Sequence, residues 1–186
     1  MLPKIAIAFG SLSFAVAAGI AAPASAEILK FHANLDGKYG SEPTGSSATG
    51  HASIKIDTVT KRMSVDLRVQ GITVDQLWTK LVAKPIGPIH FHEYNMPAMP
   101  GMAGMSGAGG SAMLALPLPY GPSYQATNGG LHVKMKNFDY AADAALVDAH
   151  LSFDDFLAGI RNGLIVLNIH TNKFNPGEIS GLVVPD

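Results

Sequence analysis

Arg62-Met63-Ser64-Val65-Asp66-Leu67-Arg68-Val69 alternates polar and apolar residues without a break. A period of two places Met63, Val65, Leu67 and Val69 on one face of a β-strand and turns Arg62, Ser64, Asp66 and Arg68 to water. The stretch before it, His51 to Ile56, alternates in the same way and is joined to it by a short polar turn. A chain that opens with half-buried strands of this kind is expected to build an antiparallel sheet.

The pattern extends in both directions. Ile28 to Leu35 reads as a first strand, followed by a long Gly/Ser/Thr/Pro loop from Asp36 to Gly50. Downstream, Thr73 with Gln76 three residues later forms a capping box, which predicts a short helix over Val74 to Val82. Ile89 to Tyr94 and Leu114 to Leu118 read as strands, Tyr120 to Gly130 as turns, and Leu131 to Met135 as a strand. Ser152 caps a second predicted helix, in which Phe153, Phe156, Leu157 and Ile160 form the apolar stripe and Gly163 the stop. Leu164 to Thr171 and Glu178 to Val184 are the last two strands, separated by the turn Asn175-Pro176-Gly177. Many short strands, Gly/Pro turns and one or two short helices predict a single all-β domain, an antiparallel Greek-key β-sandwich.

With 186 residues, 47% of them hydrophobic, the chain is long enough for one real core. Residues 1–26 stand apart. Lys4 is their only charge, Ile5 to Ala22 is almost wholly apolar or small, and Ala24-Ser25-Ala26 is a small-x-small cleavage site. This is the pattern of a secretory signal peptide, with the domain running over 27–186. An uncleaved membrane anchor is the competing reading, and the Ala-Ser-Ala site favours cleavage. A periplasmic or secreted protein is therefore expected.

Of 13 basic residues the leader removes one, leaving 12 against 14 acidic and a net charge of −2. So small a charge offers no electrostatic attraction to nucleic acid or anionic lipid. The chain has no cysteine, which excludes disulfides and thiolate metal sites. Any metal must use histidine, methionine, carboxylate or carbonyl ligands.

Those ligands are not scattered evenly. In Gly87-Pro88-Ile89-His90-Phe91-His92-Glu93-Tyr94, the two histidines project to the same side of a strand, opposite Ile89 and Phe91. A third histidine, His170, ends the strand Leu164 to Thr171. If the fold brings it to the pair, three imidazoles converge in the manner that suits copper or zinc. Singly, each histidine reads as a hydrogen-bonded strand residue. Asn168 shares a face with His170, and it and Glu178 are candidates to orient a ligand. His132 is the candidate fourth ligand, while His51 and His150 read as surface residues. Five of the eight methionines fall between Met96 and Met113, with Met96, Met99, Met102 and Met105 at every third position. Thioethers suit Cu(I), and the interleaved Gly and Pro deny the segment a helix or strand. The alternative is a loop in which methionine is simply a tolerated apolar residue.

Several stretches together resemble the CHRD domain, the module named after chordin. They are Ala33-Asn-Leu-Asp-Gly37, Glu42-Pro43, Ala48-Thr-Gly50, Ile89-His90-Phe91-His92, Asn168-Ile-His170-Thr171, and Pro176-Gly177-Glu178-Ile179 with Gly181. The resemblance covers about Ile28 to Val184 and implies an immunoglobulin-like or Cu,Zn superoxide dismutase-like sandwich. It implies little about activity, because the family is defined by sequence. Two departures stand out: the methionine-rich segment replaces a small Gly/Pro-rich one, and Ser180 stands where the family carries arginine.

Three functions follow as expectations. The first is an exported metal-binding protein, with copper sequestered or delivered through the histidines and the methionine loop. The second is a superoxide dismutase-like copper enzyme, against which stand the absent disulfide and the lack of an identifiable bridging histidine. The third is a structural or interaction module in which the histidines are architectural. No Gly-x-Ser-x-Gly elbow, phosphate-binding glycine loop or His-Glu-x-x-His helix is present.

Overall fold

The computed structural model describes residues 27–39, 43–94, 112–147 and 151–186. Residues 1–26, where a signal peptide is expected, and the segment carrying Met96, Met99, Met102 and Met105 lie outside these, as does His150.

Ten strands follow in chain order: β1 (Ile28–Asp36), β2 (Thr49–Asp57), β3 (Arg62–Gln70), β4 (Ile89–Tyr94), β5 (Ala112–Leu118), β6 (Tyr124–Thr127), β7 (Gly130–Asp139), β8 (Ile165–Ile169), β9 (Ile179–Leu182) and β10 (Val184–Pro185). Three α-helices accompany them: α1 (Thr79–Val82) between β3 and β4, and α2 (Tyr140–Ala145) and α3 (Phe153–Arg161) between β7 and β8. The strands form one sheet in the order β5-β4-β8-β9-β1-β2-β3-β7-β6, with β10 also paired to β1, and every pairing is antiparallel. The strands β1, β2 and β3 are sequential neighbours, and β9, far later in the chain, closes against β1 by a long-range connection.

The sheet is curled so that one face encloses the core. Alternate residues from both halves meet in a single buried cluster: Phe31, Ile54, Val65 and Leu67 from one half, Ile89, Phe91, Leu116 and Leu167 from the other. The two edge strands meet as well, since the Tyr124 hydroxyl of β6 donates to the Leu118 carbonyl of β5 at 2.6 Å. Helix α3 closes the core. Ser152 caps it by accepting from the Asp155 amide at 3.1 Å, and its Phe156 ring meets Phe91 edge-on at 5.7 Å.

The all-β expectation holds, and the differences in detail have tertiary causes. The helix predicted over Val74 to Val82 is split into a 3-10 turn at Val74–Gln76 and the four-residue α1. Between them Leu77, 1% exposed, is drawn into a β-bridge with Thr171, and the amide of Trp78 donates to the His170 carbonyl. Strand β6 lies within the stretch read as turns, and α2 has no counterpart among the sequence expectations. No helix among the described residues is long and apolar enough to cross a membrane.

Candidate metal centre

Strand β4 does what its alternation requires. Ile89 and Phe91 enter the core, fully buried, and His90 and His92 project from the opposite face. The neighbouring strand β8 is in register with it, pairing His90 with Asn168 and His92 with Val166. Because Ile165, Leu167 and Ile169 of β8 take the core face, Val166 and Asn168 share the outer face with the histidines. His170 continues that alternation one residue beyond β8.

The three imidazoles converge. Ring centroids of His90 and His170 are 4.3 Å apart, those of His90 and His92 4.6 Å, and those of His92 and His170 5.8 Å. One ring nitrogen from each lies within 4.8 Å of one from each of the others. His90 and His170 are 2% and 5% exposed, so these imidazoles are enclosed rather than lying on open surface.

Two of the rings are aimed by main-chain carbonyls. His90 Nδ1–H donates to Gly87 O at 3.1 Å, and His170 Nδ1–H donates to Asn175 O at 2.7 Å. A carbonyl can only accept, so Nδ1 carries the proton and Nε2 is left with its lone pair. His170 is held further by its own backbone, whose N–H donates to Pro88 O while its carbonyl receives the Trp78 amide. Gly87 is the hinge of this arrangement: its φ is +67°, and a Cβ there would collide with the Leu118 carbonyl.

His92 differs. Neither of its ring nitrogens makes a well-formed hydrogen bond, although the Met113 main chain lies near enough to offset part of the effect of burial on its proton affinity. Among the described residues six buried side-chain polar atoms lack a partner, and four are on this face: both nitrogens of His92, His170 Nε2 and Asn168 Oδ1. Buried polar atoms normally find partners. Burial, reinforced by the neighbouring imidazoles, holds His90 well below the usual imidazole range and His92 down at about 4; burial lowers His170 too. All three are therefore neutral near pH 7, the form that donates to a metal. Three neutral nitrogens with free lone pairs, two of them fixed by second hydrogen bonds, fit a borderline or soft transition ion such as copper or zinc.

The other expected participants fall elsewhere. His132 lies on β7, six places along the sheet from β4, and its Nε2 is 2.8 Å from Asp66 Oδ1. The structure does not bring it to the three histidines. His51 is exposed, its Nδ1 bonded to Asn34 Oδ1 at 2.9 Å. Among the described residues, Glu178 is not in the histidine cluster and has no imidazole among its hydrogen-bond partners. Its carboxylate accepts from Ser46 Oγ at 2.7 Å and Thr171 Oγ1 at 2.6 Å, so it pins the loop before β2 to the turn after β8. Asn168 does lie on the His170 face but makes no hydrogen bond to any of the rings. The methionines at 96, 99, 102 and 105 fall outside the described residues, between Tyr94 of β4 and its partner Ala112 of β5. Sequence reading missed the supports, namely Trp78 and the carbonyls of Gly87 and Asn175. Only the glycine left a signal, as the Gly-Pro pair opening the histidine strand.

Comparison with known protein families gives a match over most of the chain. The model of the CHRD domain matches residues 31–183. No significant match is found among curated proteins or among solved structures.

Proposed function

The chain belongs to the CHRD domain family, and from its converging imidazoles we propose that it is an exported protein that binds copper for sequestration or delivery. The observation that carries this reading is that His90, His92 and His170 present donor atoms mutually within 4.8 Å, in a buried cluster with partnerless nitrogens. A core of architectural histidines would have its ring nitrogens hydrogen-bonded, and that of His92 does not.

Copper is preferred over zinc on the chemistry of the surrounding sequence. Met96, Met99, Met102 and Met105 are on the connection that leaves β4 two residues after His92. Thioethers take Cu(I) and imidazoles take either oxidation state, so the chain is equipped to collect Cu(I) and pass it to the histidines. The leader of residues 1–26 supports export to the periplasm or beyond.

Elemental analysis of the purified mature protein, beside a His90/His92/His170→Ala variant, tests this directly. One equivalent of copper retained by the first and none by the second is expected. Equal retention, or none by either, would reject the proposal. If copper-loaded protein consumes superoxide catalytically, the storage reading gives way to an enzymatic one.

A further inference from the structure

We infer that Asn168 supplies a fourth donor, its side-chain oxygen, to the ion held by His90, His92 and His170, and that this oxygen biases the site toward Cu(II). The inference rests on the metal-binding reading above and extends it to the oxidation state.

The first ground is position. Asn168 is the direct cross-strand partner of His90 on one side and of Ser180 on the other. Side chains so paired share a face, with Cβ atoms about 5 Å apart. The second is orientation. Asn168 Nδ2 and Ser180 Oγ both lie 3.7 Å from the point where a Gly177 Cβ would stand. The amide nitrogen therefore lies toward the Gly177 turn, and Oδ1 occupies the other branch of the carboxamide.

The third ground is what Oδ1 finds there. It is buried, on a residue 3% exposed, and it receives no hydrogen bond. The imidazole protons of His90 and His170 are already committed to Gly87 and Asn175. What remains is three acceptors that receive no hydrogen bond, Asn168 Oδ1, His170 Nε2 and the unprotonated nitrogen of His92, beside the single N–H of the His92 ring. With three buried lone pairs and one N–H among them, these acceptors cannot all satisfy one another, and a cation satisfies them together. An amide oxygen is a harder donor than imidazole or thioether, so its contribution falls mainly on the divalent state.

The test is Asn168→Leu, which keeps the volume and removes both amide atoms. Thermal melting of the metal-free protein and competition titrations with Cu(II) and Cu(I) are compared with wild type. The metal-free variant is expected to melt higher, because an unsatisfied acceptor has gone. Its Cu(II) affinity is expected to fall at least ~10-fold, with Cu(I) affinity little changed and the Cu(II) electron paramagnetic resonance spectrum altered. Asn168→Asp, which keeps an oxygen and adds charge, should instead tighten Cu(II). Unchanged Cu(II) affinity in both variants, or equal loss of both oxidation states in the leucine variant, overturns the assignment. A lower melting point of the metal-free leucine variant also overturns it. Failure of wild type itself to bind copper sinks the metal-binding reading instead, so the two failures are distinct.

Discussion

The imidazole of His90 lies almost parallel to that of His170, at a centroid distance of 4.3 Å and an interplanar angle of 19°. One ring comes from the middle of a strand and the other from just beyond the end of its neighbour. They meet because β4 and β8 pair in a register that puts Ile89 opposite Ile169. Each ring is locked by a different carbonyl, so the pair is preorganised and little further ordering would be needed to hold an ion.

Loss of a single imidazole should accordingly be severe for metal and mild for the fold. His170→Ala removes one donor and one hydrogen bond to Asn175. Copper affinity is expected to drop more than ~100-fold, beyond the range seen for outer supporting groups. The metal-free stability should fall by about 1 kcal/mol, the value of one hydrogen bond. Competition titration and urea denaturation measure the two.

The metal-free protein should weaken in mild acid. Burial lowers the three folded imidazoles, His92 from 6.5 to about 4. In the unfolded chain they titrate near 6.5, so between that pH and about 4 the unfolded state binds more protons and stability falls as pH falls. Above 6.5 the contribution is constant. For His92 alone the full loss is on the order of 3 kcal/mol, at 1.4 kcal/mol per unit. Urea midpoints from pH 7.5 to 4 should show this slope, and His92→Phe should flatten it. A midpoint independent of pH across that range would refute the buried, neutral description of the cluster.

Gly87→Ala should damage the site from outside it. The positive φ and the approach to Leu118 O leave no room for a methyl group, and strain of this kind costs about 1–3 kcal/mol. Since Gly87 O also receives His90 Nδ1–H, copper affinity should fall together with stability. Undiminished affinity would show that His90 does not depend on this carbonyl.

Glu178→Ala should loosen two loops at once. The hydroxyls of Ser46 and Thr171 lose their acceptor, at a cost of about 1–3 kcal/mol. Hydrogen exchange should accelerate in residues 43–48 and 171–177 together. Acceleration in one loop alone would mean that the carboxylate does not couple them.

His132→Ala is the counter-case. Its ring pairs with Asp66 far along the sheet, so copper stoichiometry and affinity should be unchanged, and stability should fall by no more than about 1 kcal/mol. Loss of copper in this variant would place the ion elsewhere.

The sequence by itself determined the strands and what each strand shows to either side. The alternation in Arg62 to Val69 specifies a buried and an exposed face wherever the strand is placed, and His90-Phe91-His92 specifies that two imidazoles share a side. The Ser152 cap and the Phe156 stripe are equally local. These hold because a period of two or a capping hydroxyl depends only on neighbours in the chain. Tertiary structure decided everything that needs a register between distant strands. It set His170 against His90 through β4 and β8, left His132 on β7, and gave Glu178 to the loops rather than to the site. It also broke the predicted helix at Leu77, because a buried bridge to Thr171 outweighs the small local preference for continuing a turn. Pairing is chosen by the burial of the whole curled sheet, a sum over all strands that no short stretch contains.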